Sequence, residues 1–203
     1  MNSVLTLTWF ENSRHQQDLD PLVRAGVAHF WFVTLHPFDD GNGRLTRTIT
    51  DLALAQGEHQ AIRFYAMSAN ILDDRGGYYN ALESSQRASL DITVWLEWFL
   101  KTLLRSLQQV MARIDRVLDK SRFWQQHRDF SLSAEQIKAL NRLLDGGKNG
   151  FEHGISAAQY LAVGKVSKAT ATRHLADLLE KNCLVRLPGG GRSTRYQIND
   201  RGD

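Results

Sequence analysis

The chain has 203 residues, 42% of them hydrophobic and 23% charged, an ordinary globular balance with room for one large or two small domains. A single cysteine, Cys183, excludes an internal disulfide and suits a reducing cytoplasm, the expected location. The opening MNSVLTLTWFENSR lacks the basic n-region of a signal peptide, and no window approaches the roughly 18 apolar residues of a membrane span. The net charge of +3 is unevenly spread. Residues 131–203 carry 11 Lys+Arg against 7 Asp+Glu, while residues 1–130 carry 14 against 15. The basic last third points to a different kind of partner there.

The residues before Pro21 read as the end of a helix. Asp20-Pro21 is then a helix start, an acidic N-cap followed by proline at the first helical position. The predicted helix Pro21–Leu35 is apolar almost all round, through Val23, Val27, Phe30, Trp31 and Phe32, and should be central. A loop, His36–Asn42, follows. A second helix is predicted from Gly43 to about Gln56, with Leu45, Ile49, Leu52 and Ala53 on its inward face and Gly57 as its stop. RFYAMSANILDDRGGYYNALE reads as short helices broken at Gly76-Gly77. Ile92–Lys120 reads as a long helix or helix pair whose Trp95, Trp98 and Phe99 are core. His29 and His59 are lone histidines and receive no role. No strand is expected before about Phe130.

From Ser131 the pattern changes. Ser133 fits an N-cap. Helix, short helix, turn and helix follow, then strand, glycine-rich tip and strand. The expected fold class is mainly α: an all-α domain over residues 1–105, a helical linker over 106–130, and a small α+β domain over 131–200.

The chemistry concentrates in HPFDDGNGR, residues 36–44. A loop ending in Asn42-Gly43 at a helix start exposes backbone N–H groups at a positive dipole end, and the glycines let a phosphate approach closely. Arg44 and Arg47 lie three apart on the first turn and can face one anion with their planar forks. A carboxylate beside phosphates needs a cation between them, so Asp40 implies Mg²⁺. His36 is the group that can take a proton near neutral pH. Phe38 is expected to turn into the core as a structural anchor. These are parts for transferring a phosphate-containing group from a nucleotide. A plain capping turn would be indifferent to His36, Phe38 and Arg47. A hydrolytic metal site of His36, Asp39 and Asp40 would lack a second His and leave both arginines idle.

The run His36-Pro37-Phe38-Asp39-Asp40-Gly41-Asn42-Gly43-Arg44-Leu45-Thr46-Arg47 resembles the Fic motif, His-x-Phe-x-Asp/Glu-Gly-Asn-Gly-Arg-x-x-Arg, at every fixed position. The resemblance extends over roughly residues 20–105, including Tyr78-Tyr79-x-x-Leu82-Glu83. It implies a protein adenylyltransferase that moves AMP from ATP to a Ser, Thr or Tyr hydroxyl. His36 would be the base and Asp40 the Mg²⁺ ligand. Gly41, Asn42 and Gly43 would form the anion hole. Arg44 would bind the outer phosphates with Arg47 assisting, and Tyr78 and Tyr79 would border the adenine. Fic domains also carry an earlier flap and an inhibitory Ser/Thr-x-x-x-Glu-Gly/Asn helix. Here Thr93 to Glu97 has that spacing but Trp98 follows, Ser131 to Glu135 is followed by Gln136, and Glu11-Asn12 has the ending without the spacing. The expectation is an N-terminally shortened member.

Residues 131–200 resemble a winged helix. Its recognition helix would span Ser167–Glu180, packing Ala171, Leu175, Leu178 and Leu179 inward and presenting Lys168, Thr172 and Arg173. Its wing, Val185–Ile198, would carry Arg192 and Arg195 beside the tip Gly189-Gly190-Gly191. Between Lys165 and Arg195 seven basic side chains face two acidic ones, which suits duplex DNA, and winged helices serve equally as protein-docking modules. The expected partners are a target protein with a hydroxyl side chain, DNA or protein at the winged helix, and a second copy of the chain, with no membrane. Two alternatives stay open at this level: a non-catalytic ATP sensor coupled to the winged helix, and a Fic transferase using another donor.

Overall fold

The computed structural model describes residues 3–16, 18–58, 67–87, 91–146, 151, 153–189 and 194–199. Two compact units emerge, Met1–Met111 and Ala112–Asp203.

The first unit contains α1 (Ser3–Asn12), α2 (Pro21–Leu35), α3 (Asn42–Glu58), α4 (Met67–Asp73), α5 (Arg75–Arg87) and the first part of α6 (Thr93–Gln126). α2 begins as the sequence dictates. The Asp20 carboxylate accepts the N–H groups of Leu22 at 2.8 Å and Val23 at 3.2 Å, and Pro21 occupies the first turn. α2 is central: Ala25, Ala28, His29, Phe30 and Phe32 are all buried. α6 crosses it at Gly26, where a Cβ would fall 2.8 Å from Leu96 Cδ2. There the Trp95 indole N–H donates to the Gly26 carbonyl at 2.8 Å. Trp95 and Phe99 are fully buried, as expected, and Trp98 donates to the Asp74 carboxylate at 2.9 Å. Arg24, also buried, donates to Ser13 Oγ at 2.9 Å and the Phe10 carbonyl at 2.7 Å, tying the segment before α2 to the core.

α3 departs from the sequence pattern. Leu45 and Leu52 are exposed, at 39% and 46%, while Asn42, Thr46 and Thr50 are buried with Ala53 and Leu54. The inward face is therefore polar along its first two turns. Each threonine satisfies its hydroxyl by donating to the carbonyl four residues back, Thr46 to Asn42 at 2.7 Å and Thr50 to Thr46 at 2.8 Å. Gly57 does not stop the helix, which runs to Glu58. It is glycine because a Cβ there would collide with the Pro21 Cβ. Gly57→Ala should therefore destabilise the first unit by about 1–3 kcal/mol, read as a lowered urea midpoint at unchanged m-value. Likewise the α4–α5 break falls at Asp74, not at Gly76-Gly77. The Asp74 carboxylate accepts the Gly77 N–H at 3.2 Å, and a Cβ on Gly77 would meet that carboxylate at 2.6 Å.

The second unit runs from the end of α6 through α7 (Ala134–Leu144), β1 (Ile155–Ser156), α8 (Ala157–Gly164), α9 (Lys168–Glu180), β2 (Leu184–Arg186) and β3 (Arg195–Ile198). The strands form one antiparallel sheet in the order β1-β3-β2. Its core joins Phe123, Leu140, Ile155, Tyr160, Leu175, Leu178 and Cys183. Ser133 and Ser156 each close a capping box with a glutamine three residues on, Gln136 and Gln159. Ser167 caps α9. Gly190, Gly191 and Arg192 lie outside the described residues. Among the described residues no helix is long and apolar enough to cross a membrane.

Candidate functional site

The loop between α2 and α3 is built from two local choices. His36 ends α2 in the left-handed conformation, φ 46°, with its N–H donating to the Phe32 carbonyl at 3.2 Å. Gly41, at φ 81°, turns the chain into α3. Asn42 fastens the two ends. Its side-chain oxygen accepts the Phe38 N–H at 3.1 Å and its amide donates to the Phe38 carbonyl. The anchor is thus Asn42, which is 2% exposed, and not Phe38, which is 53% exposed with its ring against Phe32 at 6.4 Å.

α3 starts at Asn42, so the first-turn N–H groups of Asn42, Gly43 and Arg44 have no carbonyl four residues back inside the helix. The Arg44 guanidinium lies over Gly41, 3.5 Å from where a Cβ would be, and that of Arg47 lies over Gly43 at 3.6 Å. A Cβ at either glycine would meet its guanidinium at ordinary van der Waals distance, and only Gly41, with its positive φ, resists a side chain. Arg44 also pairs with Asp40 at 3.3 Å, both side chains largely exposed. Such a pair contributes little to stability.

Beside the loop lies a cavity of about 720 Å³. His36, Gly43 and Arg47 form one side of its lining, and Arg75, Tyr78 and Tyr79 from α5 form another. Of the residues expected from the sequence, His36, Gly43, Arg47, Tyr78 and Tyr79 line it together. Asp40, Gly41, Asn42 and Arg44 belong to the loop without lining the cavity. Arg75 stands over the Tyr79 ring at 5.6 Å, a contact the sequence reading missed.

His29 was missed as well. It lines the cavity two helical turns before His36, a seven-residue spacing that places both on one face of α2. Its Nδ1 is 2.9 Å from Thr50 Oγ1 and its Nε2 is 3.2 Å from the Tyr78 hydroxyl. Burial, and secondarily the positive charge of Arg47, hold its pKa down from 6.5 to about 3. Burial pushes the Tyr78 phenol up to about 12. The sign of the linkage is definite. Between pH 6.5 and 3 the unfolded chain binds a proton at His29 that the folded chain refuses. This contribution is complete above pH 6.5 and is lost as pH falls toward 3. Stability of the first unit should therefore fall by about 1.4 kcal/mol per pH unit on acidification below 6.5. Denaturant melts at pH 7.5, 6.5 and 5.5 check it, and a His29→Phe chain should lose that part of the slope.

No group of three or more His, Cys, Asp or Glu that could hold a metal occurs among the described residues. The lone, 93%-exposed Asp40 carboxylate does not make a metal cage. It fits Mg²⁺, which keeps most of its waters and takes one carboxylate plus phosphate oxygens.

In the second unit Lys168, Thr172 and Arg173 are exposed on α9. The Thr172 hydroxyl donates to the Lys168 carbonyl at 3.0 Å. Arg195 is engaged internally, donating to the Gly154 carbonyl at 2.9 Å. Lys181 donates to the Ser131 carbonyl at 2.9 Å and the Asp177 carboxylate at 2.8 Å. The basic count of the sequence therefore overstates the cations available at the surface.

Comparison with known proteins agrees with the loop. Residues 4–54 match the model of the Fic/DOC family. The protein adenylyltransferase fic-1 of Caenorhabditis elegans is 42% identical over 43 residues, covering 21% of this chain and 8% of that protein. The protein adenylyltransferase Fic of Drosophila melanogaster is 37% identical over 51 residues, covering 25% and 10%. A Fic family protein from Desulfovibrio desulfuricans G20 aligns over 98% of this chain and 54% of its own, at 21% identity and a TM-score of 0.47. The matched stretches thus span a tenth or less of these curated relatives. Motif, helix start and family model coincide on one segment, and over residues 4–54 the chain carries a match to the Fic/DOC family.

Proposed function

We propose that the first unit is a protein adenylyltransferase using ATP and Mg²⁺. The observation that supports this reading is the start of α3, where helix N–H groups, Arg44 and Arg47 converge beside a cavity whose rim carries His36. In the reaction His36 takes the proton of a Ser, Thr or Tyr hydroxyl on the target. The freed oxygen forms a bond to the α-phosphorus while the bond to the β-phosphate oxygen breaks, and pyrophosphate leaves. Gly43 N–H and the two guanidinium groups stabilise the charge that develops on the phosphate oxygens. Asp40 would hold Mg²⁺, which would supply positive charge against the departing pyrophosphate. The reaction belongs in the cytoplasm, where the buried thiol of Cys183 stays reduced.

The test is incubation of the chain with α-phosphate-labelled ATP, Mg²⁺ and cell extract. Label in protein, with none from γ-labelled ATP, supports AMP transfer. Absence of label, with ATP binding intact and sensitive to Arg44→Ala, would overturn the enzyme in favour of a nucleotide sensor.

We propose also that the second unit is a winged helix whose α9 meets DNA phosphates. Support comes from its element order and from exposed Lys168 and Arg173. With two or three phosphate contacts, duplex binding should be weak, with a log–log salt slope of about −2 to −3, and Lys168→Glu with Arg173→Glu should abolish it. No mobility shift at low salt would leave protein docking as the role of this unit.

A further inference from the structure

Beneath the cavity the hydrogen bonds run in one direction, and that direction decides what Tyr78 offers a ligand. The Thr50 hydroxyl donates to the Thr46 carbonyl at 2.8 Å, so its single proton is committed. Toward His29 Nδ1, 2.9 Å away, Thr50 Oγ1 can therefore only accept, and Nδ1 carries the proton. A neutral imidazole has one N–H, so Nε2 is bare and accepts from the Tyr78 hydroxyl at 3.2 Å. The Tyr78 proton is thereby committed to His29, in the wall of the cavity that both rings line, and is not available to a ligand. What remains on that oxygen is lone pairs. Below Thr50 the same chain continues from the Thr46 hydroxyl to the Asn42 carbonyl at 2.7 Å, and Asn42 is the residue that fastens the loop.

We propose that His29 is a positioning residue that fixes Tyr78 as an acceptor-only group, and that Tyr78 selects nucleotides by taking a donor from their nucleoside part. The inference rests on the nucleotide reading of this cavity. Phosphate oxygens carry no protons at neutral pH, so a lone pair facing them would repel, and Tyr78 cannot be a phosphate contact. The phosphates belong at Gly43 and Arg47. The complementary donor is a nucleoside N–H or O–H, either the amino group of an aminopurine or a ribose hydroxyl.

The experiment measures calorimetric affinities of the full chain and of Tyr78→Phe for four ligands with Mg²⁺. These are ATP, purine riboside triphosphate (which lacks the amino group), 2′-deoxy-ATP and 3′-deoxy-ATP. With wild type, the analogue missing the donor should bind on the order of tenfold more weakly than ATP, and the gap should close in Tyr78→Phe. Loss with the purine analogue identifies the base, and loss with a deoxy analogue identifies the ribose. All four binding within about twofold of one another, or a gap unchanged in Tyr78→Phe, overturns the inference and leaves the nucleotide site standing. Failure of every nucleotide to bind overturns both. Independently, nitrogen-15 spectra should show His29 as the Nδ1–H tautomer between pH 6 and 8. The Nε2–H tautomer would sink the proposal whatever the affinities. His29→Phe, where it folds, should narrow the gap without closing it, since the released Tyr78 hydroxyl can then donate as well as accept.

Discussion

His36→Ala should abolish label transfer from ATP, a loss of about 10²–10⁴-fold, while ATP affinity stays within a few fold of wild type. The split follows from position. His36 sits on the cavity rim, whereas in the proposed reaction Gly43 and the two arginines would hold the phosphates. Removing a group that handles a proton in the transition state lowers turnover without touching ground-state binding. His36→Asn is the companion variant, because asparagine tolerates the left-handed backbone that His36 adopts at φ 46°. If Asn restored transfer, the conformation of the loop and not the imidazole would be what matters, and the assignment of the base would fall. Label entering protein at wild-type rate with His36→Ala would have the same consequence.

The second large effect is expected at Asn42. Asn42→Ala removes both bonds to the Phe38 backbone, leaving one N–H and one C=O to find water, at a cost of about 1–3 kcal/mol. The larger consequence is positional. Gly41 and the first turn of α3 lose the brace that sets them, and nucleotide affinity should fall at least tenfold while the rest of the first unit keeps its helicity. Asn42→Asp separates brace from charge. It retains an acceptor for the Phe38 N–H but sets a buried carboxylate against the Phe38 carbonyl and adds negative charge beside the anion site, so its affinity should fall further than that of Asn42→Ala. Unchanged nucleotide binding in both variants would show that the loop holds its shape without the asparagine.

Local chemistry was legible in the sequence. Asp20-Pro21 is a complete helix signal within two residues, and the structure starts α2 there. His36, Gly43 and Arg47 could be placed together because a loop and one helical turn leave them little freedom. Tyr78 and Tyr79 meet them only through packing of α5, and the resemblance rather than any spacing supplied them. What the sequence hid was direction of burial. Leu45 and Leu52 lie on the outer side of α3, because a hydropathy pattern assumes that threonine faces water. Thr46 and Thr50 can go inward by bonding to their own helix, which no apolar count registers. Gly57 and Gly77 were read as breaks. Each is instead a place where another group, Pro21 or the Asp74 carboxylate, comes too near for a side chain. Gln136 and Gln159 complete capping boxes that a search for glutamate alone passes over.

Contact between aliphatic side chains is nearly indifferent to angle, and a helix resting on them can roll about its own axis at little cost. α3 rests that way only at Ile49, Ala53 and Leu54. Thr50 meets a single nitrogen of His29, and a hydrogen bond tolerates only a narrow range of directions, so the helix has one azimuth. Arg47, one turn from Thr50, inherits that aim. A chain with Thr50→Val would leave the buried His29 Nδ1–H without its acceptor, at a cost of about 1–3 kcal/mol, and would point its guanidinium less well, since the threonine contributes an angle where the valine would contribute only area.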